Sequence, residues 1–199
     1  MNSKNQNQLI IVISSPSGAG KTSVCKKLLS NDNSLKLSIS DTTRLPRDNE
    51  VEAKDYYFIS KEEFQDRISK NQYIEYAKVF GNYYGSRLEI IENYMNEGKD
   101  VLFDIDWQGA SQLKKSVYKN IVSIFLLPPS KSVILKRLKS RALESGDDEK
   151  AISKRMEMFE IEISHKSEYE HIVINDNLDQ CVMKIDQIIC NARESKLGN

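Results

Sequence analysis

Residues 14–23, SSPSGAGKTS, follow directly on the apolar run LIIVIS and set two glycines, a lysine and a threonine at one strand-to-helix turn. Gly18 and Gly20 carry no Cβ, so the backbone there can fold tightly and aim N–H groups at phosphate oxygens where a helix begins. Lys21 then reaches the β/γ phosphates, and the Thr22 hydroxyl is a ligand for Mg²⁺. The stretch departs from G-x-x-x-x-G-K-[ST] at one place: Ser15 stands where the first glycine belongs, while the anion-cradling SGAGKT is whole. The expected contacts to a nucleoside triphosphate run through Ser15, Pro16, Ser17, Gly18, Ala19, Gly20, Lys21, Thr22 and Ser23.

Other side chains could serve a second anion. Arg44 and Arg47, three apart and beside Pro46, can present two guanidinium forks to one dianionic phosphate. Tyr56 and Tyr84 offer phenolic donors. Glu75 lies in the alternating stretch YIEYAKV, where a carboxylate can point into a cleft. Asp104 and Asp106 end the apolar run VLFDID, and ligands of α/β sheets gather at such strand ends. Either can organise Mg²⁺ or its waters. Thr22 with Asp106 is the expected metal pair, and one of the two aspartates can instead cap the helix starting at Trp107.

The elements that must hold these groups alternate. Leu9–Ser14, VLFDID (101–106), IVSIFLL (121–127) and HIVIN (171–175) read as four buried parallel strands, with helical patterns between them. That predicts an α/β fold, a doubly wound parallel sheet. From about 39 to 84 the alternation stops, and aromatic-rich short strands surround one helical segment, KEEFQDRISK, which predicts an inserted α+β subdomain. The chain has 199 residues, enough for one sizeable core.

Charge and cysteines narrow the classes. Lys plus Arg and Asp plus Glu number 29 each, so no global basic field draws the protein to nucleic acid or an anionic membrane. No apolar run reaches the roughly 18–20 residues of a membrane span, and MNSKNQNQ lacks the marks of a signal peptide, so a cytoplasmic protein is expected. Cys25, Cys181 and Cys190 show no C-x-x-C spacing and are expected to be buried thiols. His165 and His171 match no catalytic pairing. Asp106-Trp107-Gln108-Gly109 looks like the D-x-x-G of switch GTPases, but no Asn-Lys-x-Asp guanine reader accompanies it.

In order along the chain, SISDTTRLPRDNE, KDYYFIS, YIEYAKVFGNYYGS, VLFDIDWQG and IVINDNLD resemble the guanylate kinase family, over about residues 9–180. The resemblance implies a P-loop core over 9–38 and 88–195, a GMP-binding subdomain over 39–87 and a helical lid over 138–155. It implies ATP as phosphoryl donor with Mg²⁺, GMP as acceptor, and direct in-line transfer giving ADP and GDP. Arg44, Arg47, Tyr56 and Tyr84 match the positions that hold the phosphate of GMP. Ser40, Glu75 and Ser86 match those that contact guanine, and Asp104 an acidic position near the GMP. Arg137, Arg141 and Arg155 resemble the lid and lid-flanking arginines that fold over the triphosphate, acting in catalysis with Lys21. The link between the second and third is longer here than the family usually shows. Two alternatives are a kinase of another nucleoside monophosphate and a scaffold that binds phosphopeptides without catalysis. Lys21, Thr22 and the lid arginines speak against the second.

Overall fold

The computed structural model describes residues 8–48, 50–145 and 149–197; the side chains of residues 140–152, 154 and 197 lie outside that description. The central sheet has five parallel strands: β1 (Ile10–Ser14), β2 (Leu35–Leu37), β7 (Asp100–Asp104), β8 (Ile121–Leu127) and β9 (His171–Ile174). Their order is β2-β7-β1-β8-β9. Four of these match the expected runs. The fifth, β2, is a three-residue edge strand, LKL, whose middle lysine breaks the apolar signature.

Alternation along β1 builds both faces of the core, because successive side chains point to opposite sides of a strand. Ile11 and Ile13 face α1 (Lys21–Asn31) and α7 (Leu178–Leu197) through Val24, Leu28, Val182 and Ile185. Ile10 and Val12 face α3 (Leu88–Asn96) and α4 (Trp107–Lys114) through Ile91, Met95, Ala110 and Leu113. Helix α3 was not among the helical patterns read from the sequence. Of the three thiols, Cys25 and Cys181 are buried as expected, whereas Cys190 is exposed, on the outer side of α7. Among the described residues no helix is long and apolar enough to cross a membrane.

A second sheet occupies the segment where the alternation stopped. Its strands are β3 (Asp41–Thr42), β4 (Tyr57–Phe58), β5 (Tyr73–Val79) and β6 (Asn82–Arg87), in the order β4-β3-β6-β5. Helix α2 (Lys61–Ser69), capped by the Ser60 hydroxyl accepting from Glu63 N, buries Phe64 against Tyr73 and Tyr83, with ring centroids 4.6 and 5.3 Å away. Phe80 and Gly81 close the β5–β6 hairpin, both at positive φ (48° and 88°), as a two-residue turn of the I′ kind requires. Helices α5 (Lys131–Ser145) and α6 (Glu149–Ser164) pack Ile134, Leu138 and Phe159 around Ala19, and so brace the glycine-rich loop from outside the sheet.

Candidate active site

The loop between β1 and α1 has the geometry its glycines allow. Gly18 and Gly20 sit at φ +86° and +92°, and a Cβ on Gly20 would fall 2.5 Å from Asn175 Nδ2. Asn175 donates to the Ala19 carbonyl at 2.7 Å, and the Arg137 guanidinium donates to the same carbonyl at 3.2 Å. The loop is therefore gripped from behind through its Ala19 carbonyl, while within it the Ala19 N–H donates to the Pro16 carbonyl and the Ser17 N–H to Glu162. Gly18, Gly20 and Lys21 offer their N–H groups to an anion. The first turn of α1 carries no acidic side chain of its own.

Lys21 Nζ donates to the Ile105 carbonyl and pairs with Asp104 Oδ1, both at 2.7 Å. Burial works against its charge, yet the adjacent Asp104 carboxylate holds the ammonium above its usual range. Asp104 is brought there by strand register, opposite Ile13 in the β1–β7 ladder, and its Oδ2 accepts from Thr22 Oγ1 at 3.5 Å. Asp106 faces another way: it is the N-cap of α4 and accepts from the Gln108 and Gly109 N–H groups, each at 3.0 Å. The carboxylate beside Thr22 is thus that of Asp104.

At the other end of the cleft, the β5–β6 register sets Glu75 opposite Ser86, whose hydroxyl donates to Glu75 Oε1 at 2.6 Å. Glu75 is 3% exposed and Ser86 fully buried. Burial pushes the Glu75 carboxyl up from 4.5 to about 7, against the Ser86 hydrogen bond. A Cβ on Gly109 would collide with Glu75 Oε2, so the glycine of Asp-Trp-Gln-Gly makes room for this carboxylate. Ser40 is buried on the same wall.

Arg44 grips a carboxylate the way it would grip a phosphate. Its two terminal nitrogens donate to Glu50 Oε2 and Oε1 at 2.9 and 2.8 Å, and Arg47 gives Glu50 its backbone N–H at 2.8 Å. Tyr56 and Tyr84 stand edge-on beside it, centroids 5.8 Å apart, with the Arg44 guanidinium over the Tyr56 ring. These groups and the glycine-rich loop line one cleft of about 990 Å³. Arg137 and Arg155 reach it from α5 and α6, and the Arg155 guanidinium lies 5.9 Å over the Phe80 ring. The side chain of Arg141 lies outside the described residues.

Two cleft residues and one behind the loop carry no mark in the sequence patterns above. Glu50 closes the stretch RLPRDNE, three residues after Arg47, where an acid can partner the arginines. Asn175 follows directly on β9 at the sheet's carboxyl edge and holds the loop through the Ala19 carbonyl. Glu162 gave no signal: it is one of several acids on a charged helix, yet its Oε2 accepts the Ser17 N–H at 3.1 Å.

The family model for guanylate kinase matches residues 7–192. A guanylate kinase of Rickettsia felis is 50% identical over 186 residues, covering 94% of this chain and 95% of that protein. One of Rickettsia bellii is 49% identical over 94% of this chain and 96% of its own. The crystal structure of guanylate kinase from Anaplasma phagocytophilum superposes with a TM-score of 0.76 at 34% identity, over 94% of this chain and 87% of that one.

Proposed function

The chain belongs to the guanylate kinase family, and from that premise we propose that it transfers a phosphoryl group from ATP to GMP, giving ADP and GDP. The observation that carries the reading is the single cleft shared by the glycine-rich loop, the Arg44–Arg47–Tyr56–Tyr84 group and the buried Glu75. Its volume, about 990 Å³, is at the upper end for small-molecule sites, and it carries cationic side chains at both the loop and the Arg44 end.

Ser15 to Ser23 bind the triphosphate of ATP, with Lys21 released from Asp104 onto the β/γ oxygens. Arg44, Arg47, Tyr56 and Tyr84 take the phosphate of GMP, and Glu50 occupies the place that phosphate would fill. Guanine presents N1–H and N2–H₂ as adjacent donors, which Glu75 can accept together, with Ser86 and Ser40 completing the contacts. Adenine would set a lone pair against that carboxylate. The phosphate of GMP is itself the nucleophile, so no general base is needed. Positioning and cationic screening by Lys21, Arg137, Arg141 and Arg155 supply the catalysis as charge spreads over the transferring group.

The oxygen pair Thr22 and Asp104 fits Mg²⁺, a hard cation usually held by one or two carboxylates together with substrate phosphates. Held by Thr22 and Asp104, Mg²⁺ would supply neutralisation of the phosphate charge. Asp106, engaged in capping α4, would act only through waters. The segment 39–87 reads as the GMP-binding subdomain and 138–155 as the lid, each closing on the 9–38 and 88–195 core to exclude water as a competing acceptor. The balanced charge supports small nucleotides, rather than nucleic acid or a membrane surface, as partners, and a cytoplasmic setting. ADP release measured in parallel with GMP, AMP, UMP and CMP tests the assignment. GMP-dependent release is expected; equal release with AMP would replace the substrate, and no release with any would leave a binding scaffold.

A further inference from the structure

Glu162 is a carboxylate with no part in the reaction described above, yet it reaches the phosphate loop. It projects from α6 into the cleft that Arg155 also lines, seven residues earlier on the same helix. Seven residues are close to two turns, so both lie on one face, about 10 Å apart along the axis. Its Oε2 accepts the N–H of Ser17, the residue just before Gly18 in the cradle.

The groups facing Glu162 are of mixed sign. Lys21, at the start of α1, favours its charge, and Asp106, at the start of α4, opposes it. On α5, Arg137 is already bonded to the carbonyls of Ala19 and Asn175. In the 3-10 turn that follows α6, His165 is stacked on Trp107 and paired with Glu168. Arg155 lines the same cleft, and the hydrogen bond to the Glu162 carboxylate comes from a neutral backbone donor, the Ser17 N–H.

We propose that Glu162 is a positioning residue for ATP: its neutral form holds the Ser17 end of the phosphate loop against α6, and its ionised form opposes entry of the triphosphate. The proposal rests on the reading of the loop as the ATP site. A neutral carboxyl still accepts the Ser17 N–H through its carbonyl oxygen, so the loop stays anchored in both states. An ionised carboxylate adds a negative charge beside the site for an anion of high charge, and it competes for Lys21. Because desolvation pushes Glu162 up to about 7, the two forms exchange in the physiological range. Glu162 therefore makes ATP affinity fall as pH rises.

The size follows from the competent fraction. A carboxyl that titrates near 7 is about 90% neutral at about pH 6 and about 10% neutral at about pH 8, so affinity falls up to roughly tenfold across that range. The test is equilibrium titration of wild type, Glu162→Gln and Glu162→Ala with ATP, without GMP, with magnesium in excess so that the nucleotide's charge stays constant. Wild-type affinity is expected to weaken about five- to tenfold from about pH 6 to about pH 8. Glu162→Gln keeps the acceptor without the charge, and its affinity should vary less than about twofold. Glu162→Ala loses the anchor and should bind more weakly at every pH, while its GMP affinity stays near that of wild type. Equal pH slopes in wild type and the Gln variant would overturn the proposal, as would equal losses of ATP and GMP affinity in the Ala variant. If the Ala variant fails to fold, the wild-type and Gln pair decides alone. Wild-type ADP release with GMP in the same buffers reads the reaction separately, so a wrong acceptor would leave the Glu162 result standing.

Discussion

The two ends of the cleft each contain a carboxyl lifted to about 7, the half-buried Glu162 beside the glycine-rich loop and the buried Glu75 on β5 of the second sheet. Desolvation is the leading cause at both. They differ in what each must meet. In our reading Glu75 faces the hydrogen-bond donors of guanine and works ionised, whereas Glu162 faces phosphate oxygens and works neutral. The same shift thus has opposite consequences, and the sign follows from the ligand edge rather than from the residue. The ends also differ in construction. The donor end is backbone N–H groups from one contiguous turn, with Lys21 added. The acceptor end is side chains drawn from β5, β6, the residue before β3 and the loop between β3 and β4.

The largest effect should come from Lys21, the half-buried ammonium of the donor end. Lys21→Met removes a preorganised charge from the phosphoryl path, and kcat is expected to fall on the order of 10³-fold with GMP affinity nearly unchanged. Steady-state turnover near the wild-type rate would mean that the backbone cradle suffices, and would erase the contrast between the two ends.

At the acceptor end the loss should be selective. Glu75→Gln keeps the size and one acceptor but introduces a competing donor, so kcat/KM for GMP should fall by about 2–3 kcal/mol, or roughly 30- to 150-fold. The GMP-to-AMP ratio should narrow with it. Arg44→Ala should weaken GMP and AMP alike, since the phosphate carries no information about the base. Measuring both nucleotides in both variants separates base reading from phosphate grip; an unchanged ratio in the Glu75 variant would move guanine reading elsewhere.

A smaller effect tests the opposite signs. GMP needs Glu75 ionised, so the Glu75-dependent part of GMP affinity should rise with pH through about 7, by up to about tenfold between about pH 6 and about pH 8. The phosphate of GMP titrates nearby, so the quantity to compare is the difference between wild type and Glu75→Gln. A difference that falls with pH would put Glu75 in the same class as Glu162, and a flat one would mean that GMP does not read the charge of Glu75.

What could be read from the sequence follows from that difference in construction. The loop was legible because its chemistry is local: β1, the positive-φ glycines, Lys21 and Thr22 are consecutive. Glu75 and Ser86 could be named, but their contact depends on a hairpin register that only the turn at Phe80-Gly81 fixes. The roles of Asp104 and Asp106 could not be divided, because β7 ends at Asp104 and leaves Asp106 to start α4. Glu162 lies 145 residues from Ser17, on a helix rich in acids, and nothing local marks it.

The smallest expected effect concerns the one residue at which the loop departs from its usual pattern. Positive φ favours glycine, and among the described residues the non-glycine positions with positive φ are Ala53, Asn71 and Phe80. Ser15 is not one of them, so its backbone is open to any L-residue. Its hydroxyl donates to the adjacent Pro16 carbonyl at 3.1 Å and takes no N–H away from the cradle. A glycine there would add no phosphate donor and would enlarge the conformational freedom of the unfolded chain, costing about 0.4–1 kcal/mol. Ser15→Gly should therefore leave ATP KM within about twofold and lower Tm by roughly 1–4 °C for a chain of this size. A tenfold drop in ATP KM would mean that this position must flex into positive φ when the triphosphate binds. The donor end would then be less rigid than its local construction implies.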